Sequence, residues 1–131
     1  MFSGTSGLGQ HTSYCLAALG ASVYVCAPDT AECREGLDKI LDKLSTLPNH
    51  GKNKSPVGFH PLDLGDIQGT IDSAHELRQN LTKNGHKGID ILICNAGILG
   101  PPLRKLTKDG YEKTFAVNCL GHFTWVNCLL G

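Results

Sequence analysis

Charge is missing from the opening stretch of this sequence: no Asp, Glu, Lys or Arg occurs before Asp29. A secretory leader would need a basic start and an unbroken apolar core. Gly4, Gly7, Gly9 and His11 interrupt the place where that core would lie. Long apolar runs are also absent. Cys15 to Ala27, the best of them, contains Gly20 and Ser22 and is too short to cross a bilayer, so it is expected to be protein interior. Net charge is absent too, since 12 basic and 12 acidic residues cancel. That excludes recognition of nucleic acid or an anionic membrane driven by charge. The six cysteines (Cys15, Cys26, Cys33, Cys94, Cys119 and Cys128) form no C-x-x-C pair and no metal-like spacing with histidine. They are expected to be small core residues in a reducing, cytoplasmic setting.

At 131 residues, 40% hydrophobic and 18% charged, the chain is expected to form one soluble domain. Its most informative stretch is Ser3-Gly4-Thr5-Ser6-Gly7-Leu8-Gly9. Glycine has no Cβ and tolerates positive φ, so such a loop lets backbone N–H groups approach a bulky anion. The residues that follow, Gln10 to Leu19, carry a helical spacing of Tyr14, Cys15, Ala18 and Leu19, with Gly20 as the stop. A helix N-terminus with its dipole aimed at a glycine loop is suited to phosphate. On its own the pattern also fits an ordinary loop closure.

Ala21 to Ala27 reads as a strand buried on both faces, ended by Pro28. Asp29 and Glu32 resemble a capping pair for a second helix running to Leu47, with Leu37, Ile40, Leu41 and Leu44 inward and a Glu35–Lys39 pair outward. Pro48 to Pro56 is expected to be an exposed loop and Val57 to Leu62 a short strand. A third helix is expected over Ile67 to Asn84, with Ile71, Ala74, His75, Leu77 and Leu81 inward and Gly85 closing it. Ile89 to Cys94 reads as a second fully buried strand, and Gly100-Pro101-Pro102 as loop. Asp109 and Glu112 form another capping pair, opening a helix through Leu130. Helices alternating with strands predict a parallel sheet.

Four stretches in this order resemble the short-chain dehydrogenase/reductase family: the glycine loop, Asp63-Leu64, Cys94-Asn95-Ala96-Gly97, and Asn118 within Phe115 to Phe123. Gly97-Ile98-Leu99 and the last stretch are most similar to its retinol-dehydrogenase-like and steroid-reductase-like branches. The resemblance covers essentially the whole chain. It implies an α/β fold, a Rossmann-type doubly wound parallel sheet, with residues 1–131 forming a single partial NAD(P)-binding domain. Gly4, Thr5, Ser6, Gly7, Leu8 and Gly9 would then cradle the pyrophosphate of NAD(P). Asp63 and Leu64 would hold the adenine edge, although Asp63 also suits a loop cap. Asn95, Ala96 and Gly97 would line the ribose, although Asn95 also suits a plain turn. Asn118 would support catalysis by positioning a water through its backbone. The family implies a lipophilic carbonyl or alcohol as substrate of the complete enzyme, and pairing with a second copy through the Tyr111–Leu130 region.

Cofactor choice is less sharply drawn. NAD enzymes of this type place an acid at the end of the second strand, where Ala27 stands here. NADP enzymes often place Arg next, where Pro28 stands. Asp29 is near enough for a ribose and Arg34 for a 2′-phosphate, and the lack of an acid at Ala27 favours NADP.

Three departures qualify the resemblance. Two residues, not the family's three, separate Gly4 from Gly7. The family's first strand has no counterpart, and losing it removes two hydrogen-bond ladders. The proton-donating Tyr with Lys four residues on is missing: Tyr14, Tyr24 and Tyr111 are followed at that distance by Ala18, Pro28 and Phe115. The expectation is an incomplete sheet, without its first strand and C-terminal half, in a cofactor-binding fragment of an oxidoreductase that is itself inactive. A non-catalytic nucleotide-binding or interaction module is the alternative, with apolar surface around Cys94, Leu99 and Trp125. A flavodoxin-like FMN protein is a third reading, against which Asn95-Ala96-Gly97 argues.

Overall fold

A computed structural model describes residues 4–47, 56–100 and 103–130. The expected loop from Pro48 falls outside these residues except for Pro56, as do Pro101 and Pro102. Two compact units are present, Met1–Pro61 and Leu62–Gly131.

In the first unit, α1 spans Gly7–Ala18, three residues ahead of its expected start. Gly7 turns the chain into it at φ +54. Gly20, at φ +99, closes it by the expected mechanism: the Gly20 amide donates to Ala17 O and the Ala21 amide to Leu16 O, each at 3.0 Å. The face that α1 buries is not the apolar one read from spacing. Gly9, Ser13 and Ala17 are buried, while Leu19 is 86% exposed. Small residues at i, i+4 and i+8 allow close approach, and hydrophobicity alone does not mark them.

The strands β1 (Val23–Ala27) and β2 (Val57–Pro61) pair in parallel, Val23 opposite Val57 through Ala27 opposite Pro61. They are joined through α2 (Ala31–Ser45), so this unit is α/β, as expected. Only Val25 and Ala27 of β1 are buried, a half-covered strand rather than one covered on both faces. The core comprises Ala17, Val25, Ile40 and Leu44, with Tyr14, Val23, Leu37, Leu47 and Val57 packed against it. Leu41 lies at its edge, 39% exposed. The N-cap of α2 is Thr30, whose hydroxyl accepts the Cys33 amide at 3.2 Å. Asp29, expected in that role, pairs with Arg34 instead. The Glu35–Lys39 pair forms as expected, at 2.8 Å.

The second unit opens with a turn at Asp63-Leu64-Gly65 and continues into α3 (Ile67–Lys83). Asp66 caps α3 by accepting the Gly69 amide at 2.9 Å, and Gly85 (φ +79) closes it as Gly20 closes α1. Thr70, Ser73, Ala74, Leu77 and Leu81 form the buried stripe, whereas His75, expected inward, is exposed. It lies one position beyond Ala74 of the stripe, on the solvent side of the helix.

Residues 89–94 form no strand, and Ile91 and Ile93 are 69% and 51% exposed. A β-strand exists only as one side of a ladder. Among the described residues the one sheet pairs β1 with β2 and does not include this segment.

The last helix is continuous but not uniform. Lys113–Phe115 (α4) leads through a π-turn at Ala116–Leu120 into α5, Gly121–Leu130. Glu112 caps it, accepting the Thr114 and Phe115 amides at 2.9 and 2.8 Å. Asp109 does not share that cap; it accepts the Ile67 amide at 3.0 Å, at the start of α3. Helix α5 packs along α3, and Arg78 Nη1 donates to Cys128 O at 3.2 Å. Trp125 is buried, not part of an apolar surface patch. The cysteines also depart from expectation: Cys33 alone is buried, and Cys94 and Cys119 are exposed.

Candidate functional site

The glycine loop is held from beneath. A Cβ built on Gly4 would stand 2.8 Å from Val25 Cγ1, and one on Gly36 only 2.1 Å from Thr5 O. Glycine is therefore required on both sides of the contact that brings the loop against β1 and α2. Thr5 is buried, Ser13 Oγ donates to Gly4 O at 3.4 Å, and Gln10 Nε2 donates to Gly36 O at 2.9 Å. The close Gly4–Val25 packing shows that the loop, with its shorter spacing, still needs a glycine at position 4. The first helical hydrogen bond of α1 runs from the Gln10 amide to Ser6 O at 3.2 Å, so the amides of Gly7, Leu8 and Gly9 precede it. No acidic residue stands in that first turn. Leu8 is exposed. The arrangement presents N–H groups and the positive end of a helix dipole to whatever lies ahead of the loop.

Beyond β1 stands a small charged assembly. Arg34 Nε and Nη2 donate to the two carboxylate oxygens of Asp29 at 2.6 and 2.9 Å. The guanidinium carbon also lies 5.0 Å from the centre of the Phe59 ring. The hydrogen bond from Arg34 holds the Asp29 carboxyl below its ordinary value, and Asp29 in turn raises that of Arg34. Both remain charged at neutral pH.

The other sequence-derived residues belong to the second unit. Asp63 Oδ1 accepts the Gly65 amide at 2.9 Å, the loop-cap arrangement, while its residue stays exposed. Leu64 is buried, and its carbonyl oxygen would meet a Cβ on Gly121 at 2.4 Å. Asn95, Ala96 and Gly97 come together with the π-turn. Asn118 grips the next residue with both ends of its amide: Oδ1 accepts the Ile98 amide at 2.8 Å, and Nδ2 donates to Ile98 O at 2.9 Å. One helical turn later, His122 Nε2 lies 2.7 Å from Ala96 O. A Cβ on Gly97 would stand 3.4 Å from Asn118 Oδ1. Asn95 Nδ2 is buried with no partner, and an orphaned donor at this point suits a polar ligand.

Sequence reasoning missed His122, Gly36 and Phe59. The spacing of His122 four residues after Asn118, on one helix face, was a legible signal for the first. The others act across long sequence separations and left no local signal. Among the described residues, no group of three or more His, Cys, Asp or Glu is placed to hold a metal. No helix there is long and apolar enough to cross a membrane.

Comparison with known proteins adds to this geometry. The model of the short chain dehydrogenase family matches residues 2–130. The short chain dehydrogenase/reductase dpchH of Colletotrichum higginsianum is 34% identical over 127 residues, covering 97% of this chain and 29% of that protein. Retinol dehydrogenase 14 of Homo sapiens is 34% identical over 131 residues, covering 96% of this chain and 37% of its own length. This chain thus spans about a third of the length of those relatives. Among solved structures, the Pseudomonas aeruginosa RhlG/NADP active-site complex is 26% identical with a TM-score of 0.68, over 97% of this chain and 44% of that one.

Proposed function

The chain belongs to the short-chain dehydrogenase family, and from that premise we propose that its residues form the NAD(P)-binding part of an oxidoreductase acting on a ketone, aldehyde or alcohol. The observation that carries this reading is the start of α1: three amides, a glycine at φ +54 and no acid in the first turn. Those amides suit a pyrophosphate. Gly4, Thr5 and Ser6 would shape the approach to it, with Gly7, Leu8 and Gly9 donating. Asp63 would accept from the adenine amine and Leu64 would pack beneath it. Asn95, Ala96 and Gly97 would line a ribose, where the partnerless Asn95 Nδ2 fits a ligand oxygen. The bound dinucleotide would supply or accept a hydride.

Asn118 serves as a support. Its side chain is committed to Ile98, and it lies in a π-turn, where the i→i+5 pattern loosens the carbonyl ladder and frees a backbone oxygen to bind water. None of Tyr14, Tyr24 and Tyr111 has a Lys four residues on to lower its pKa. The 131 residues therefore bind the cofactor without turning over a carbonyl by themselves. The name of retinol dehydrogenase 14 supports a lipophilic substrate for an enzyme of full family length. The NADP in the RhlG complex supports the cofactor class.

A second reading, an interaction module, draws on the exposed Ile91 and Ile93. Isothermal titration with NADP⁺ and NAD⁺ separates the two. Saturable binding of either supports the cofactor reading. No binding, with oligomers seen by light scattering, replaces it with the interaction reading.

A further inference from the structure

Two side chains of the last helix hold the loop that ends at Ile98. Asn118 takes both backbone groups of Ile98, and His122 Nε2 meets Ala96 O at 2.7 Å. A carbonyl oxygen only accepts, so Nε2 is the nitrogen that carries hydrogen, and a neutral N–H is all the contact needs. Asn118 and His122 lie four residues apart, on one face. Gly97 passes close to that face, since a Cβ there would stand 3.4 Å from Asn118 Oδ1. The approach to the loop, residues 89–94, forms no strand, so these side chains supply order that a sheet ladder otherwise would. Just ahead of the held residues, Asn95 Nδ2 is buried with no hydrogen-bond partner. A buried amide donor left open is costly, and its place in the loop calls for a ligand atom to complete it.

Resting on the dinucleotide reading, we propose that His122 is a positioning residue of this site. Its bond to Ala96 O fixes the backbone one residue beyond Asn95, so that Asn95 Nδ2 is aimed at the cofactor's ribose before the cofactor arrives. His122 acts without touching the ligand. Its contribution is pre-organisation, because a loop already in its bound conformation loses less freedom when the ligand docks. The effect is therefore read in affinity and depends on the Asn95 amide. His122→Leu keeps bulk and removes the donor. His122→Gln keeps an N–H close to the position of Nε2, whereas His122→Asn carries the same amide on a stem too short to reach Ala96 O.

The test is titration calorimetry of NADP⁺ with the unaltered chain, H122L, H122Q, H122N, Asn95→Ala and the double variant N95A/H122L. H122L weakens NADP⁺ binding about 3- to 10-fold, the effect of one ordinary hydrogen bond, and H122Q restores it to within twofold. H122N behaves as H122L does, and takes its place in the comparison if H122L does not fold. On the N95A background the loss of the imidazole has little further effect, because the two residues act through one contact. A loss that H122Q fails to restore overturns the positioning role, and so do N95A and H122L effects that simply multiply. Unchanged affinity in both H122L and H122N overturns it as well. Inability of the unaltered chain to bind NADP⁺ overturns the cofactor reading, and the role of His122 with it.

Discussion

Gly36 shows how much one missing methyl group does. The position is helical and far from the loop in sequence, yet a Cβ there would fall 2.1 Å from Thr5 O, deep inside van der Waals contact. Gly36→Ala is expected to destabilise the chain by about 1–3 kcal/mol, the usual cost of forcing volume into a filled contact. Urea denaturation reads this directly, and it should outweigh the ~1 kcal/mol that Ala gains over Gly from helix propensity. Asn118 is the second decisive residue. Asn118→Ala removes both hydrogen bonds to the Ile98 backbone, which are exposed to solvent, at a cost of about 0.5–1.5 kcal/mol in thermal or urea unfolding. Asn118→Asp keeps the bond from the Ile98 amide and sets a carboxylate against Ile98 O, and so should recover little. Such residues were only partly readable beforehand. Asn118 stood out through the family resemblance, but its partner Ile98 did not, because hydrogen bonds across 20 residues leave no periodic trace.

At the level of elements, the caps carry a pH dependence with a definite sign. Asp66 receives the Lys108 ammonium at 2.6 Å and the Gly69 amide, and these hold its carboxyl below the ordinary carboxylate value. A lowered folded-state value means that the stabilisation is complete above the unfolded carboxyl's pKa, roughly 3.9, and is lost as pH falls through the folded value. Asp66→Asn retains a capping oxygen and removes the titration, so the acid limb of its stability profile should be flatter than that of the unaltered chain. Denaturant midpoints measured across the acid range settle the comparison.

The segment at residues 89–94 is the element that differs most from its sequence. Its apolar composition is that of a covered parallel strand, yet Ile91 and Ile93 face solvent. Exposed apolar backbone of this kind promotes association. Ile91→Lys should lower light scattering at a fixed concentration and shift the unfolding midpoint little, because the side chain it replaces is already largely exposed. The strand pattern was legible from composition, but composition does not count neighbours, and only the family resemblance pointed to a lost ladder. The helix ends at Gly20 and Gly85 and the i,i+4 pair at Glu35 and Lys39 were read well, by contrast, because they are local chemistry, whereas of the acidic caps only Glu112 holds the amides expected of it.

For the molecule as a whole, binding and turnover should separate. If the glycine loop holds a dinucleotide, a ligand at 100 times its dissociation constant adds about 2.7 kcal/mol to unfolding, seen as a rise in Tm. Under the same conditions, purified 131-residue protein should leave NADPH unconsumed in the presence of a ketone or aldehyde. Consumption above the no-protein control would contradict the absence of a proton donor. The order of motifs along the chain carried the family correctly even where single elements were misplaced.

The π-turn at Ala116–Leu120 has a further meaning as an absorbed insertion. A helix that makes one i→i+5 turn, from Ala116 O to the Gly121 amide, houses one residue more than a regular helix of the same length. The helices on either side stay in phase, with Gly121 against Leu64 and Trp125 buried. Removing the exposed Cys119 should let the backbone relax into an ordinary helix with both flanks undisturbed, while uncoupling the amide of Asn118 from Ile98. One codon would then distinguish a helix built only to pack from one that also grips the Ile98 segment.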